Sequence, residues 1–338
     1  MSRKREALNY TVDTGPGITR QFKGDRFVYY NARGRLVSNQ RTLRRIEALA
    51  IPPAYTDVWI SPDPRGHIQA TARDARGRKQ YRYHEQWKQL RDANKYQQLE
   101  AFGAALPRIR RRAEADMKGK GLTQERITSL VICLLESTLI RIGTKYYART
   151  NKSYGLTTLR RRHASVIGST IRFQFKGKSG VEHDVTVNDR RIALIIRRCL
   201  EIPGQELFRY KDAQGNVHGI DSGAVNAWLK SVSGGDFTAK HYRTWGASVY
   251  AMKRLQQRLS RDLAPTRKVL GEVIKETAAL LGNTATICRN CYIHPAIVEA
   301  YLTNTLPPRQ TTQLPRGLSA DERRFLAFLR STTMSAAN

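Results

Sequence analysis

The chain has 338 residues, of which 40% are apolar, and its 59 lysines and arginines against 28 acidic residues give a formal net charge of +31. This charge exceeds that of an ordinary solvated surface and indicates a polyanionic partner whose binding weakens as salt rises. RNA-binding and membrane-surface proteins share this charge. However, no run approaches the ~20 apolar residues of a membrane span, and the amino-terminal MSRKREALNYTVDTG lacks an apolar leader segment. We therefore expect a cytoplasmic protein associated with the nucleoid.

The four cysteines are too few for a disulfide framework and suit free thiols in a reducing compartment. They are Cys133, Cys199, Cys288 and Cys291. Cys288 and Cys291 are three residues apart and His294 follows, but a zinc site needs a fourth ligand, and no second cluster supplies one. We expect neither a metal nor a cofactor.

The length favours two domains and the patterns predict an α+β protein: a small β-rich amino-terminal DNA-binding domain over 1–92 and a larger, mainly helical domain over 93–338. Strand-like runs occur at 27–30, 35–37, 58–60 and 67–71, separated by turn-forming residues, and the first two predict a hairpin. Leu43, Ile46 and Leu49 repeat at helical spacing until Pro52. The boundary is expected near Asp92.

Cations alternate with aromatic and amide side chains between Arg76 and His84. Lys79 is suited to a phosphate, Gln80 to a base edge, and Tyr81 and Tyr83 to sugars or bases. A charged edge strand without a binding role explains the pattern equally well.

In the first part of the larger domain, candidate functional cations lie at the ends of predicted helices and strands. Thr123 is a candidate N-cap for an apolar helix that ends just before Arg141. Lys145 and Tyr147 follow in a basic, aromatic segment suited to DNA contact. Alternating residues at 171–175 and 183–187 flank Gly-Lys-Ser-Gly, which predicts a hairpin with Lys178 at its tip.

From Asp189 onward the pattern is almost wholly helical, with runs at 190–200, 222–232, 239–259 and 265–281, and with a capping box at 319–322 for a last helix that has a packing role. Lys240 and Arg243 lie one turn apart at the start of the third run. Asn283 precedes Tyr292 by nine residues in the stretch LGNTATICRNCYIHP.

This set of residues suits attack by a phenol on a phosphodiester. A phenol with a pKa near ~10 needs cations that stabilise both the phenolate and the charge that develops on the phosphoryl oxygens. Arg141, Arg243 and Asn283 are candidate donors to the non-bridging oxygens, and Lys178 is a candidate acid for the departing oxygen. No nucleotide-binding glycine loop and no carboxylate cluster for Mg²⁺ accompanies them. His241 and His294 are more simply read as structural residues than as the base for Tyr292.

The order Arg, Lys, Lys-x-x-Arg, Asn-x8-Tyr resembles the type IB DNA topoisomerases of the small poxvirus-type and bacterial branch, over about Asp25 to Pro295. The resemblance implies that Lys178 in FQFKGKSG is the general acid, that Arg243 in TAKHYRTWGAS is the second active-site arginine with Lys240 beside it, and that 76–84 contacts the major groove. It also implies a monomer that forms a 3′-phosphotyrosyl intermediate on double-stranded DNA and relaxes supercoils of either sign without ATP or metal.

Two alternatives stay open at this point. A tyrosine recombinase shares the arginine, lysine and nine-residue spacing, although Lys-x-x-Arg stands where recombinases usually carry His-x-x-Arg and the amino-terminal region is β-rich. A non-catalytic DNA-binding protein is favoured by the charge alone.

Overall fold

The computed structural model describes residues 8–259, 265–309 and 316–335. The chain separates into two compact units between Asn94 and Lys95, next to the predicted boundary at Asp92. No helix in these ranges is long and apolar enough to cross a membrane.

The amino-terminal unit is a sheet with one helix packed on it. Its elements are β1 (Ile18–Lys23), β2 (Arg26–Tyr30), α1 (Gln40–Ala48), β3 (Thr56–Ile60), β4 (Ile68–Arg73) and β5 (Lys79–Tyr83). Within the described residues the strand order is β2-β1-β3-β4-β5 and each pairing is antiparallel. Ile46 of α1 packs with Val58, Ile60 and Ala70, so alternate residues of the central strands form a small apolar core.

The predicted hairpin between residues 27–30 and 35–37 is wrong, because the first of these strands has a different partner. β2 pairs along its length with β1, which the sequence analysis did not identify, whereas the predicted strand at 35–37 is reduced to a single bridge between Tyr30 and Leu36. β1 reads ITRQFK and only Ile18 is buried in it. A strand with so little apolar alternation is hard to recognise from sequence.

The second unit is mainly helical, as predicted. The long helix α2 (Glu85–Met117) runs into it and is followed by α3 (Gln124–Thr138) and α4 (Lys145–Asn151). Thr123 caps α3 as expected, because its side chain accepts a hydrogen bond from the backbone N–H of Arg126 at 3.3 Å. Ile127, Leu130 and Leu134 are fully buried and place α3 at the centre of the core.

A three-stranded antiparallel sheet follows, in the order β6-β7-β8 among the residues described. Its strands are β6 (Ala164–Ile167), β7 (Thr170–Lys176) and β8 (Glu182–Asn188). The predicted hairpin is β7 and β8, with full register from Thr170 opposite Asn188 to Lys176 opposite Glu182. Ile171, Phe173 and Phe175 face the core, so the apolar alternation fixes which face of the hairpin is buried.

The remainder is helical except for one short ribbon. It consists of α5 (Arg190–Glu201), β9 (Arg209–Lys211), β10 (Val217–Gly219), α6 (Ser222–Ser233), α7 (Ala239–Leu259), α8 (Arg267–Leu281), α9 (Ala285–Cys291), α10 (Pro295–Leu302) and α11 (Ala320–Ser335). The prediction of an almost wholly helical region therefore missed β9 and β10, which are only three residues long each. The polar, proline-rich stretch 303–317 is predicted from the sequence to be a loop, and residues 310–315 of it lie outside the described ranges.

The predicted capping box at Ser319 and Glu322 is present at the start of α11. The Ser319 N–H donates to Glu322 Oε2 at 2.8 Å and the Glu322 N–H donates to Ser319 Oγ at 3.3 Å. Glu322 does more than cap, because its Oε1 accepts from Arg110 Nη2 at 2.6 Å and from Trp245 Nε1 at 3.1 Å. Arg110 also donates to Glu136 of α3 at 2.6 Å. These contacts join α2, α3, α7 and α11.

Candidate active site

Arg141 lies just beyond α3, where the chain leaves the helix abruptly. Leu139 adopts a left-handed conformation with φ 53° and its N–H donates to Leu135 O at 3.0 Å, which ends the helix. The Leu156 N–H then donates to Arg141 O at 2.9 Å and fixes the backbone of the extended segment. The Arg141 guanidinium is thereby brought to Asn283, and its Nη2 donates to Asn283 Oδ1.

Asn283 lies in the middle of the three-residue junction between α8 and α9. Gly282 closes α8 in the left-handed region with φ 58°, and Thr284 caps α9 by accepting from the Ile287 N–H at 3.3 Å. The Asn283 N–H itself donates to Ala278 O at 2.9 Å. The Gly-Asn-Thr sequence thus ends one helix, presents an amide and starts the next helix in three residues.

Arg243 is only 3% exposed and holds two helix ends together. Its Nη1 donates to Leu139 O at the end of α3, and its Nη2 donates to Leu281 O at the end of α8 at 3.0 Å. The negative end of each helix dipole favours a cation at this position. The sequence placed Arg243 and Lys240 on one helix face, but the two differ, since Lys240 is exposed.

Tyr292 follows α9 and is held from α7 through its backbone. Ser248 is fully buried; its Oγ donates to Tyr292 O at 3.1 Å and accepts from the His294 N–H at 3.0 Å. The Arg243 guanidinium lies over the Tyr292 ring, 5.0 Å from the centroid. One helix therefore carries both Arg243 and the hydroxyl that fixes the Tyr292 segment.

The environment favours the phenolate form of Tyr292. Burial alone would raise the pKa of the phenol, but the charge and hydrogen bonding of Arg243, with contributions from Arg141 and Lys240, outweigh burial and leave the pKa below its usual value. Burial conversely lowers the pKa of Arg243. Three of the predicted site residues, Arg243, Arg141 and Lys240, thus lower the pKa of Tyr292.

Three buried N–H donors at this site have no hydrogen-bond partner among the described residues. They are Arg141 Nη1, Arg243 Nε and Asn283 Nδ2, and in the described ranges only two other buried side-chain atoms, Tyr242 Oη and Arg324 Nε, share that condition. An unpaired buried donor costs about 1–3 kcal/mol, so three at one location indicate a site built for an acceptor that the protein does not itself contain.

Lys178 lies at the tip of the β7–β8 hairpin, as predicted, and is exposed. No contact within the described residues joins it to Tyr292. The tip is a tight turn in which Ser179 and Gly180 both have positive φ, at 64° and 78°. The other end of this turn is linked to the site through His183, which sequence analysis noted only as part of the strand alternation. Burial lowers the pKa of His183, and the charges of Arg141 and Arg243 lower it further.

The predicted DNA-contact residues of the amino-terminal unit lie on the edge strand β5. Tyr81 and Tyr83 stack with centroids 5.9 Å apart, and Lys79 lies over the Tyr81 ring and forms an ion pair with Asp13. Strand alternation puts Gln80 on the opposite face, where its Nε2 donates to Asp74 Oδ2 at 2.9 Å. Lys79, Tyr81 and Tyr83 therefore form one surface and Gln80 does not belong to it.

In the second unit, Lys145 and Tyr147 begin the short helix α4, and both are exposed. Lys145 lies 3.9 Å from Glu206, a distance that leaves its ammonium largely in solvent. Tyr147 packs edge-on against Tyr146 with centroids 5.5 Å apart. Both side chains remain accessible to a ligand.

The two histidines considered as a base for Tyr292 have structural partners. His241 accepts from the Thr238 N–H at 3.0 Å and pairs with Gln98 at 3.0 Å, while His294 caps α10 by accepting from the Ala296 N–H at 3.2 Å. The four cysteines are free thiols. Among the described residues, no group of three or more histidine, cysteine or acidic side chains is placed to hold a metal ion.

Comparison with known proteins places the chain in a family. Residues 84–311 match the model of the eukaryotic DNA topoisomerase I catalytic core, and residues 26–74 match that of the bacterial DNA topoisomerase IB amino-terminal domain. The chain belongs to the type IB DNA topoisomerases. It is therefore an isomerase that acts on DNA, and the recombinase and non-catalytic alternatives are set aside at the level of the family.

Relatives of this topoisomerase occur in viruses. The chain is 31% identical to DNA topoisomerase 1B of Acanthamoeba polyphaga mimivirus over 296 residues, which cover 85% of this chain and 88% of the viral protein. It is 23% identical to DNA topoisomerase 1B of Vaccinia virus over 262 residues, covering 75% and 80% of the two chains. DNA topoisomerase 1 of Rabbit fibroma virus is 24% identical over 275 residues, covering 78% and 82%.

Proposed function

We propose that this topoisomerase cuts one DNA strand with Tyr292, holds the 3′ end as a phosphotyrosyl diester, lets the free strand rotate and then reseals the break. The observation that supports this reaction is the group of three unpaired buried donors around a tyrosine whose pKa is lowered. A phosphodiester supplies the acceptors that these donors lack, and its non-bridging oxygens become more negative in the transition state.

The proposed roles follow from the positions of the side chains. Tyr292 releases its proton to solvent and its oxygen attacks phosphorus as the bond to the 5′ oxygen breaks. Arg141, Arg243 and Asn283 donate to the two non-bridging oxygens, and Arg243 still has donors available after holding two carbonyls. Lys178 gives a proton to the departing 5′ oxygen, because an alkoxide leaves poorly at neutral pH. Lys240 adds charge near the phenolate.

Resealing is the same reaction in reverse. The 5′ hydroxyl returns its proton to Lys178 and attacks the phosphotyrosyl phosphorus, and the Tyr292 oxygen leaves. Since one diester replaces another of similar energy, the cycle needs neither ATP nor a metal ion. Supercoils of either sign drive rotation, and the protein acts as a monomer on nucleoid DNA. Lys79, Tyr81, Tyr83, Lys145 and Tyr147 are proposed DNA contacts, with Gln80 as a further candidate on the opposite face of β5.

The decisive experiment is Tyr292→Phe. We expect it to abolish covalent capture of a nicked duplex and plasmid relaxation while DNA binding changes little, because only the attacking oxygen is removed. Peptide mass mapping of trapped wild-type protein should find the adduct on Tyr292, and relaxation should continue in EDTA. The matched control is Tyr250→Phe on the same helix as Arg243, outside the cluster. An adduct that persists in Tyr292→Phe would place the nucleophile elsewhere.

A further inference from the structure

The imidazole of His183 lies between the backbones of two glycines. A methyl group at Gly177 would lie 2.6 Å from His183 Nε2, and a methyl group at Gly282 would lie 2.5 Å from His183 Cε1. Real side-chain carbons do not approach other atoms closer than about 3.0 Å, so neither position accepts a side chain while the ring stays where it is. One edge of the ring therefore contacts both glycines.

These two glycines precede two proposed site residues. Gly177 is followed by Lys178 at the hairpin tip, and Gly282 is followed by Asn283 at the junction of α8 and α9. The hairpin and the helix junction are separated by about a hundred residues of chain. His183 is the side chain through which the base of the Lys178 turn contacts the backbone next to Asn283.

The ring itself is fixed by its own strand. His183 is paired with Phe175 across the hairpin, and the two rings stack with centroids 4.9 Å apart and planes 8° apart. Burial and the charges of Arg141 and Arg243 lower the pKa of His183, which favours the neutral form of the ring. A neutral, stacked ring adds no further positive charge and serves as a rigid spacer.

We propose that His183 is a positioning residue that sets the distance between the Lys178 turn and the Arg141 and Asn283 pair. The proposal rests on the proposed function, since it assigns His183 the task of holding the general acid near the departing 5′ oxygen. Lys178 is exposed on this turn, and no hydrogen bond or ion pair among the described residues holds its side chain, so its position depends on the base of the turn. A misplacement of about 1 Å is enough to cost roughly a hundredfold in rate.

The test is His183→Ala with two substrates that differ in one atom. Single-turnover cleavage is measured on DNA with the normal 5′ oxygen at the scissile phosphate and on DNA with sulfur there. A thiol has a pKa near ~8.5 and leaves without protonation. We expect His183→Ala to lower the cleavage rate about 10- to 100-fold on the oxygen substrate and a few-fold at most on the sulfur substrate. DNA binding should change little.

Val185→Ala is the matched control. Val185 lies two residues along the same inward face of β8, pairs with Phe173 and packs against the core, so it tests the loss of a side chain from this strand without the glycine contacts. We expect equal, small changes on both substrates. An equal loss on oxygen and sulfur substrates in His183→Ala would show a general folding role and overturn the proposal.

Gly177→Ala approaches the same contact from the other side. Gly177 has an ordinary φ of −93°, so alanine there adds no backbone strain, only a methyl group against the ring. We expect Gly177→Ala to slow the oxygen substrate selectively, and the double variant with His183→Ala to be no slower than His183→Ala alone, because the vacated space accepts the methyl group. Multiplicative losses in the double variant would contradict a shared contact.

Lys178→Ala on the same two substrates separates the two proposals. If Lys178→Ala slows cleavage of both substrates equally, the general-acid role of Lys178 is wrong, whatever the result for His183→Ala. If sulfur rescues Lys178→Ala but not His183→Ala, only the positioning role fails.

Discussion

Arg243 and Lys178 are both cations of the proposed reaction, but their environments in the fold are opposite. Arg243 is buried and ties together the ends of α3 and α8, whereas Lys178 stands exposed on a hairpin turn. A group that stabilises developing negative charge works best when it is fixed before the reaction begins. An acid that gives and regains a proton must reach solvent or substrate. The contrast indicates a rigid part and an adjustable part in one site.

Arg243→Ala should have the largest effect. We expect cleavage to fall by roughly 10³–10⁵-fold, as for other arginines that stabilise a phosphoryl transition state, with no rescue by a sulfur leaving group. The melting temperature should also fall, because two helix-end carbonyls lose a buried partner. Single-turnover cleavage and thermal unfolding measure the two losses.

Arg243→Lys is the control for that experiment, since it keeps the charge and removes the planar fork. It should recover part of the stability and little of the rate. If the sulfur substrate restored cleavage by Arg243→Ala, Arg243 would act on the departing oxygen as Lys178 is proposed to do, and the distinction between Arg243 and Lys178 would be wrong.

Lys178→Ala should have the next largest effect, a loss of roughly 10²–10⁴-fold on the oxygen substrate and close to wild-type cleavage on the sulfur substrate. The melting temperature should not change, because the side chain is exposed and makes no described hydrogen bond. A lowered melting temperature would mean that the tip is part of the rigid framework after all.

Lys240→Ala should have the smallest effect and should change the pH profile more than the maximal rate. Lys240 contributes to the lowered pKa of Tyr292, so removing it raises that pKa and moves the alkaline inflection of the cleavage rate to higher pH. At neutral pH the rate should fall several-fold, because less phenolate is present. As a control, Lys230→Ala removes an exposed lysine of α6 that pairs with Asp236, and it should leave the pH profile unchanged. A profile that is identical in Lys240→Ala would remove Lys240 from the site.

The elements that sequence predicted well are those whose signals are local. Thr123 and the apolar stripe after it define α3, and alternation around Gly-Lys-Ser-Gly defines the β7–β8 hairpin. β1 was missed because a strand with one buried residue has almost no apolar alternation, and β9 was missed because three residues are too few to show a period.

The candidate residues could be chosen from their types and spacing, but their surroundings could not. Helical spacing put Arg243 next to Lys240, yet its burial depends on Leu139 and Leu281, which come from distant segments. His183 fits the alternation of β8 so well that nothing in the sequence marks it for a second role. Ser248 is a polar residue on a buried helix face, a signal that could have been followed.

The contact between Glu322 and the helix that carries Arg243 has a consequence for biosynthesis. Trp245 and Arg110 both bind the Glu322 carboxylate, which is synthesised about eighty residues after Trp245. While the ribosome has yet to add that residue, the indole N–H lacks its acceptor and Arg110 has only Glu136 as a carboxylate partner. The helix that carries Arg243 therefore gains its full set of contacts only once Glu322 has been synthesised.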